Sequence, residues 1–357
     1  MKALGKKLRI AIACGGTGGH TYPGIATAKV LRDAGHDVVI LQAGRAIESE
    51  TLSGWDGEIF KTGARQSKAS IPGSLFRTWR AFGEKRPDVL VAMGSYTSLP
   101  PVVAAWLRGI PVVLHEANAV PGKAIAFLAR FATKAGLAFP EAAKYMPKKV
   151  TTAVVGMPLR AEFEKGSGTT QAAKDKFTLL VMGGSQGAVA LNKIVAGALA
   201  SINRKNPDFA AKLKVVHLAG PKNAESVRQL YTEQGLTGDR FEIIGFSNEM
   251  ARLYAEADFC ISRAGASSCM ELALAGLPAL FVPLPHLAGD HQSFNARSMA
   301  GRGAGDWKAQ DELTPEGLAD YIAGIASDVE KRAQMREALL AASCPDSTAQ
   351  FAKIVAE

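Results

Sequence analysis

The sequence predicts an α/β protein built as two doubly wound, parallel-sheet domains in tandem, and three observations predict it. Short apolar runs alternate with longer amphipathic stretches along all 357 residues, the signature of repeated βαβ units. Each half carries a glycine-rich turn directly after its first strand, where such sheets receive ligands. The length suits two domains at roughly 150 residues each, with material for two cores.

In the first half the expected strands are residues 8–14, 37–42, 88–93 and 111–115; in the second they are 177–182, 214–218, 241–245, 259–262 and 279–283. These runs are apolar on both faces, as strands of a sheet covered by helices on each side must be. The first turn is expected to lead into a helix over 24–34. Residues 161–176 are polar, contain glycine and lack any apolar period, so they read as a linker. The domains are therefore placed at 1–162 and 163–341, with the last helix, 342–357, packing back on the first. A cleft between the two domains is the expected ligand site.

Lys and Arg number 42 against 33 Asp and Glu, for a net charge of +9. Residues 1–160 hold 22 cations against 10 anions, +12, while 161–357 hold 20 against 23, −3. The basic half calls for an anionic partner such as a phosphorylated substrate or lipid headgroups. No nucleic-acid module or basic–aromatic platform occurs, so no nucleic acid is expected. With 47% hydrophobic and 21% charged residues, disordered and fibrous classes are excluded. The four cysteines, Cys14, Cys260, Cys269 and Cys344, form no CxxC pair, so neither a disulfide framework nor a zinc site is expected. Charge-free windows at 89–107 and 272–289 are interrupted by Pro100, Pro101, Pro278, Pro283 and Pro285, which suits strand–turn–helix units and not membrane spans. Only four residues separate Arg9 from Cys14, too few for an export segment.

Three motifs carry chemistry. Residues 14–20, CGGTGGH, place four glycines after a strand, letting backbone amides and a helix dipole approach an anion. The spacing is neither GxGxxG nor a Walker loop, and no acidic residue ends the next strand, so a nicotinamide cofactor is disfavoured and none is expected. His20 stands where a general base would face the cleft, and equally where a structural histidine would sit. Residues 182–188, MGGSQGA, repeat the turn in the second domain, with Ser185 as a hydroxyl donor to phosphate. Residues 262–271, SRAGASSCME, open a helix whose amino terminus suits a diphosphate, with Glu271 placed to accept from two ribose hydroxyls. The loop 286–295 then gathers amide, imidazole and carboxylate groups suited to sugar hydroxyls.

GGTGGHxxP, the HExN of 115–118, the GxPxR of 156–160, GGSQGA, SRAGA…E and the DHQxxNA of 290–296 together resemble the MurG family of peptidoglycan N-acetylglucosaminyltransferases. The resemblance runs from about Leu8 to the last helix. It implies the GT-B architecture, two Rossmann-like domains facing a cleft. It also implies an inverting hexosyltransferase that moves GlcNAc from UDP-GlcNAc to the muramyl sugar of undecaprenyl-diphosphate-linked MurNAc-pentapeptide, lipid I, giving lipid II. Such an enzyme works as a peripheral protein on the cytoplasmic face of the inner membrane, beside other wall-synthesis proteins. At matching positions Thr17, Gly18, Gly19 and Asn118 would lie beside the donor sugar, and Arg160, Ser185 and the backbone at Ser247 would contact nucleotide and phosphate. Ala266, Ser267, Ser268, Cys269, Met270 and Glu271 would receive diphosphate and ribose, and Gln292 with His291 the GlcNAc hydroxyls. Ser95 and Tyr96 fall in the acceptor loop, where Gly94-Ser95-Tyr96 replaces the family's GGY and Ala92 a common glycine; Ala117 and His291 each replace a glutamine.

No Asp-x-Asp occurs, so no metal is expected to carry the leaving diphosphate, and the helix near Gly265 and Ser185 are left to stabilise it. His20, with a pKa near neutrality, is the leading base, ahead of a water-mediated route or Glu271. Residues 74–86 set Leu75, Trp79 and Phe82 at helical spacing among four cations. This is either a surface for anionic membrane lipids or a helix packing its stripe on the sheet. A relative acting on diacylglycerol or another lipid, or a non-catalytic nucleotide-sugar-binding scaffold, are the rival readings.

Overall fold

The computed structural model describes residues 6–15, 18–43, 52, 55–64, 68–159, 163, 176–183, 188–285 and 289–357. The chain divides into two compact units, one of Met1–Glu164 with Cys344–Glu357 and the other of Lys165–Ser343.

In the first unit, β1 (Arg9–Ala13), β2 (Asp37–Gln42), β3 (Glu58–Lys61), β4 (Val89–Ala92), β5 (Val112–Glu116), β6 (Lys134–Leu137) and β7 (Thr151–Val154) form one sheet in the order β3-β2-β1-β4-β5-β6-β7. Every pairing is parallel. Alternate residues feed two cores: Ile10 and Ile12 lie in one, Ala11 and Ala13 in the other. The helices α1 (Gly18–Asp33), α2 (Ile71–Glu84), α3 (Leu99–Leu107) and α4 (Lys123–Leu128) complete the crossovers. The strand order reverses between β1 and β4, so the loops after these strands flank the crevice where a doubly wound sheet takes its ligand.

The second unit repeats the plan. Strands β8 (Phe177–Met182), β9 (Leu213–Leu218), β10 (Phe241–Ile244), β11 (Phe259–Ser262), β12 (Ala279–Phe281) and β13 (Asp306–Trp307) run parallel in the order β10-β9-β8-β11-β12-β13. The reversal here lies between β8 and β11. The helices are α5 (Val189–Lys205), α6 (Pro207–Lys212), α7 (Ala224–Glu233), α8 (Met250–Glu256), α9 (Ala266–Ala275), α10 (His291–Gly301), α11 (Pro315–Ser327) and α12 (Val329–Ala342).

The last helix, α13 (Ser347–Ala356), packs on the first unit. The hydroxyls of Ser347 and Thr348 donate to the carbonyls of Met157 and Leu159 at 2.6 and 3.3 Å. Phe351 sets its ring edge-on to His115 at 5.0 Å. Gly136 makes room for it: a Cβ there would lie 2.6 Å from the Phe351 ring.

Two expectations change. The first helix starts at Gly18 and not at Gly24, and carries Pro23 inside it; Thr21 donates to the carbonyl of Cys14 at 3.0 Å and ties its first turn to the end of β1. Four strands, β3, β6, β7 and β13, go beyond those expected. Three are edge strands and β6 carries a lysine and a glycine, so none shows a continuous apolar run.

Candidate active site

The crevice of the first unit is built by α1 and the loop after β4. Gly24 lets α1 close on β1, since a Cβ there would lie 2.7 Å from the Cys14 sulfur. That seats His20 over Gly94: a Cβ on Gly94 would lie 3.0 Å from Cδ2 and 3.2 Å from Nε2 of the imidazole. Burial lowers the His20 pKa to about 4, below the near-neutral value expected from the sequence, because the charged ring would lose its hydration. At neutral pH the ring is uncharged, the form a proton acceptor needs.

Gly94 takes φ +97°, and Ser95 follows it at φ 70°, ψ 151°, a region that is close to glycine-only. The Ser95 hydroxyl accepts from the Thr97 N–H and hydroxyl at 3.5 and 3.3 Å. Ser98 bridges the two switch-point loops through the carbonyls of Gly94 and Ala13. The Tyr96 hydroxyl is buried here and meets no hydrogen-bond partner among the described residues.

At the end of β5, His115 donates to the carbonyl of Gly156 at 2.9 Å; burial lowers its pKa to about 4. Glu116 accepts on Oε1 from the Asn118 backbone N–H at 2.7 Å and from its side-chain amide at 3.1 Å. Glu116 thereby orients Asn118, a role that sequence reasoning missed; its signal is a carboxylate ending an otherwise apolar strand. Burial pushes Glu116 up to about 7, with N–H groups of Asn118, Gly122 and Ala117 opposing the shift.

In the second unit, α9 follows β11 with Gly265 as its N-cap. Ala266, Ser267 and Ser268 are half-buried and form the first turn, the end at which a helix directs its N–H groups outward. Cys269 and Met270 follow in the same helix. Their side chains are buried in the core, and the Cys269 N–H already donates to Gly265 at 3.0 Å. Glu271 accepts on Oε2 from the Tyr254 hydroxyl at 2.7 Å. Nothing in the sequence pattern marks that pairing.

Gln292, in the first turn of α10, accepts from the Leu284 N–H at 2.9 Å, which leaves its NH2 as the group to offer a sugar. The His291 ring lies against Gly289, where a Cβ would sit 2.7 Å from Nε2. Buried Asn295 donates to the carbonyl of Ala264 at 3.1 Å, joining α10 to the loop before α9. Arg263 holds the end of β12, donating to Val282 and Pro283 at 3.1 and 3.0 Å and to Gln310 at 2.6 Å. Ser247 accepts from the Glu249 N–H at 3.0 Å. Thr17, Arg160 and Ser185 lie outside the described residues, and Gly18 and Gly19 open α1.

On α2 the expected apolar set splits. Phe82 is 4% exposed in the core and half-buried Leu75 packs against that core. Phe76 and Trp79, 65% and 39% exposed, stack at 6.4 Å. Arg108 lies 4.1 Å over the Trp79 ring. Beyond it the aromatic surface continues through Trp106, 5.3 Å from Phe131, and Phe127, 5.6 Å from Phe131. Arg77 and Arg80 on the same helix and Arg130, 5.6 Å over the Phe127 ring, are exposed cations. Among the described residues no helix is long and apolar enough to cross a membrane.

Residues 10–137 match the Glycosyltransferase family 28 N-terminal domain and residues 178–355 its C-terminal domain. UDP-N-acetylglucosamine--N-acetylmuramyl-(pentapeptide) pyrophosphoryl-undecaprenol N-acetylglucosamine transferases are close relatives. That of Myxococcus xanthus is 33% identical over 97% of this chain and 92% of its own. That of Halorhodospira halophila is 36% identical over 98% of each. The crystal structure of Acinetobacter baumannii MurG superposes with a TM-score of 0.81 at 30% identity, covering 98% of this chain and 99% of that one. A UDP-GlcNAc 2-epimerase from Neisseria meningitidis, at 12% identity and a TM-score of 0.69 over 97% and 99% of the two chains, shares the fold.

Proposed function

The chain belongs to glycosyltransferase family 28, and from that premise we propose how its residues carry out the family's sugar transfer. The enzyme moves GlcNAc from UDP-GlcNAc to the muramyl sugar of lipid I, giving lipid II. The observation that carries this reading is the match at 36% identity across 98% of both chains to a transferase named for the reaction.

The N–H groups opening α9 at Ala266, Ser267 and Ser268 receive the diphosphate, and Glu271 accepts from the ribose hydroxyls. Ser185, Arg160 and the backbone at Ser247 complete the nucleotide contacts. The Gln292 amide, with His291, donates to the GlcNAc hydroxyls, and in the first unit Thr17, Gly18, Gly19 and Asn118 are the residues assigned to the donor sugar. The acceptor diphosphate meets the loop at Ser95 and Tyr96. As the acceptor oxygen bonds to the anomeric carbon, its proton passes to the neutral His20 imidazole and the bond to UDP breaks. Charge growing on the departing UDP is stabilised by the preorganised amides of α9, whose dipole favours an anion at that end.

The lipid acceptor stays in the bilayer, so the enzyme works at the cytoplasmic surface of the inner membrane. The exposed aromatics Phe76, Trp79, Trp106 and Phe127, set among arginines, suit insertion at headgroup depth with attraction to anionic lipid. The test is transfer of label from UDP-GlcNAc to a short-chain lipid I analogue, with diacylglycerol as a competing acceptor. Label on the analogue alone is expected. Label on diacylglycerol, or donor binding without transfer, would overturn the reading.

A further inference from the structure

We infer that Tyr254 is a positioning residue for donor recognition: its hydroxyl holds the Glu271 carboxylate in the orientation that receives the nucleotide ribose. The inference rests on the assignment of Glu271 to the ribose made above. Tyr254 lies on α8, seven residues after Ser247, with its ring 1% exposed. Its hydroxyl donates to Oε2 of half-buried Glu271 at 2.7 Å, the length of a charge-assisted bond to a carboxylate. Burial and the neighbouring carboxylate raise the phenol well above its ordinary pKa, so it remains a donor throughout the working range.

A phenylalanine would fill the same core volume, and the oxygen is what reaches the carboxylate. A carboxylate offers about four lone-pair sites. The Tyr254 hydroxyl takes one of them on Oε2 and so fixes how the carboxylate plane is turned. A glutamate on a helix surface otherwise samples several rotamers, and fixing one on binding costs affinity. The tyrosine orders the carboxylate before the nucleotide arrives. The device also couples α8, which follows the Ser247 contact, to α9, which receives the diphosphate.

The test is a cycle of dissociation constants for UDP and 2′,3′-dideoxy-UDP, measured by calorimetry on the wild type, Tyr254→Phe and Glu271→Ala. Tyr254→Phe removes one oxygen and no carbon, so packing is kept. It is expected to weaken UDP by about three- to tenfold and to leave dideoxy-UDP unchanged. In the transfer assay it raises KM for UDP-GlcNAc by the same factor with kcat held. Equal weakening of both nucleotides would mean a structural role only, and no weakening of either would mean no role; each overturns the inference. If Glu271→Ala fails to narrow the preference for UDP over dideoxy-UDP, the ribose assignment falls first and takes the inference with it.

Discussion

At the scale of the residue, the first unit keeps two uncommon groups side by side: a neutral imidazole and a serine in a glycine's backbone conformation. With its pKa lowered to about 4, His20 is uncharged across the whole neutral range. Its ring resonances, followed by NMR, are expected to titrate near pH 4 and not near 6.5. His20→Ala is expected to lower kcat by about 10²- to 10⁴-fold, the usual contribution of a positioned base, with UDP affinity unchanged; unchanged turnover would remove His20 from the mechanism. Ser95 at φ 70° stores strain of about 1–3 kcal/mol. Ser95→Gly is expected to recover about 1 kcal/mol of stability in a denaturant titration, and KM for the lipid I analogue then reports whether the strain serves the acceptor. The motif residues were legible because glycine turns, a histidine beside them and a glutamate on a helix announce themselves by type and spacing. Glu116 holding Asn118 and Tyr254 holding Glu271 were not, since each acts through a contact between residues whose roles no local pattern encodes. Nor was the burial of the Cys269 and Met270 side chains: motif spacing marks a stretch of helix, whereas helix phase decides which side chains face the core.

At the scale of the element, central strands were legible because parallel sheet buried on both faces demands unbroken apolar runs. Edge strands β3 and β7 escape that demand, and their exposed polar residues hide them. Helix α2 shows how periodicity stops short: it places Leu75, Trp79 and Phe82 on one stripe, but only packing separates buried Phe82 and half-buried Leu75 from the exposed Phe76 and Trp79. Phe76→Glu with Trp79→Glu is therefore expected to reduce binding to vesicles containing anionic lipid while leaving UDP affinity intact. Phe82→Glu should instead unfold the first unit, because it buries an unpaired charge; equal vesicle binding by the double variant and the wild type would exclude this face. Helix α13 returns from the far end of the sequence to cover the first unit, and Phe351 is its fully buried anchor. Phe351→Ala is expected to cost about 3–5 kcal/mol, read as a lower denaturant midpoint of the first unit.

At the scale of the whole molecule, buried titratable groups set how stability follows pH. His20 and His115 in the first unit have pKa values lowered to about 4, and His217 in the second to about 3. As pH falls below 6.5 the unfolded chain protonates these rings and the folded chain does not, so each costs stability at about 1.4 kcal/mol per pH unit until its folded value is reached. Glu116, raised to about 7, runs the other way: its contribution is complete below 4.5 and is lost as pH rises towards 7. Between pH 6.5 and 4.5 the first unit therefore has two histidines opposed by one carboxyl, and the second unit one histidine unopposed. Each is expected to lose about 1.4 kcal/mol of stability per pH unit on acidification, from these groups alone. Glu116→Gln removes the opposing group, so the slope of the first unit should double to about 2.7 kcal/mol per pH unit while that of the second stays fixed. Trp55, Trp79 and Trp106 lie in the first unit and Trp307 in the second, so tryptophan emission with Trp307→Phe as background follows the first unit through urea titrations at pH 5 and 6. An unchanged slope in Glu116→Gln would mean that this carboxyl is ionised throughout that range. A doubled slope would locate a proton on it close to neutrality, on the same residue that orients Asn118.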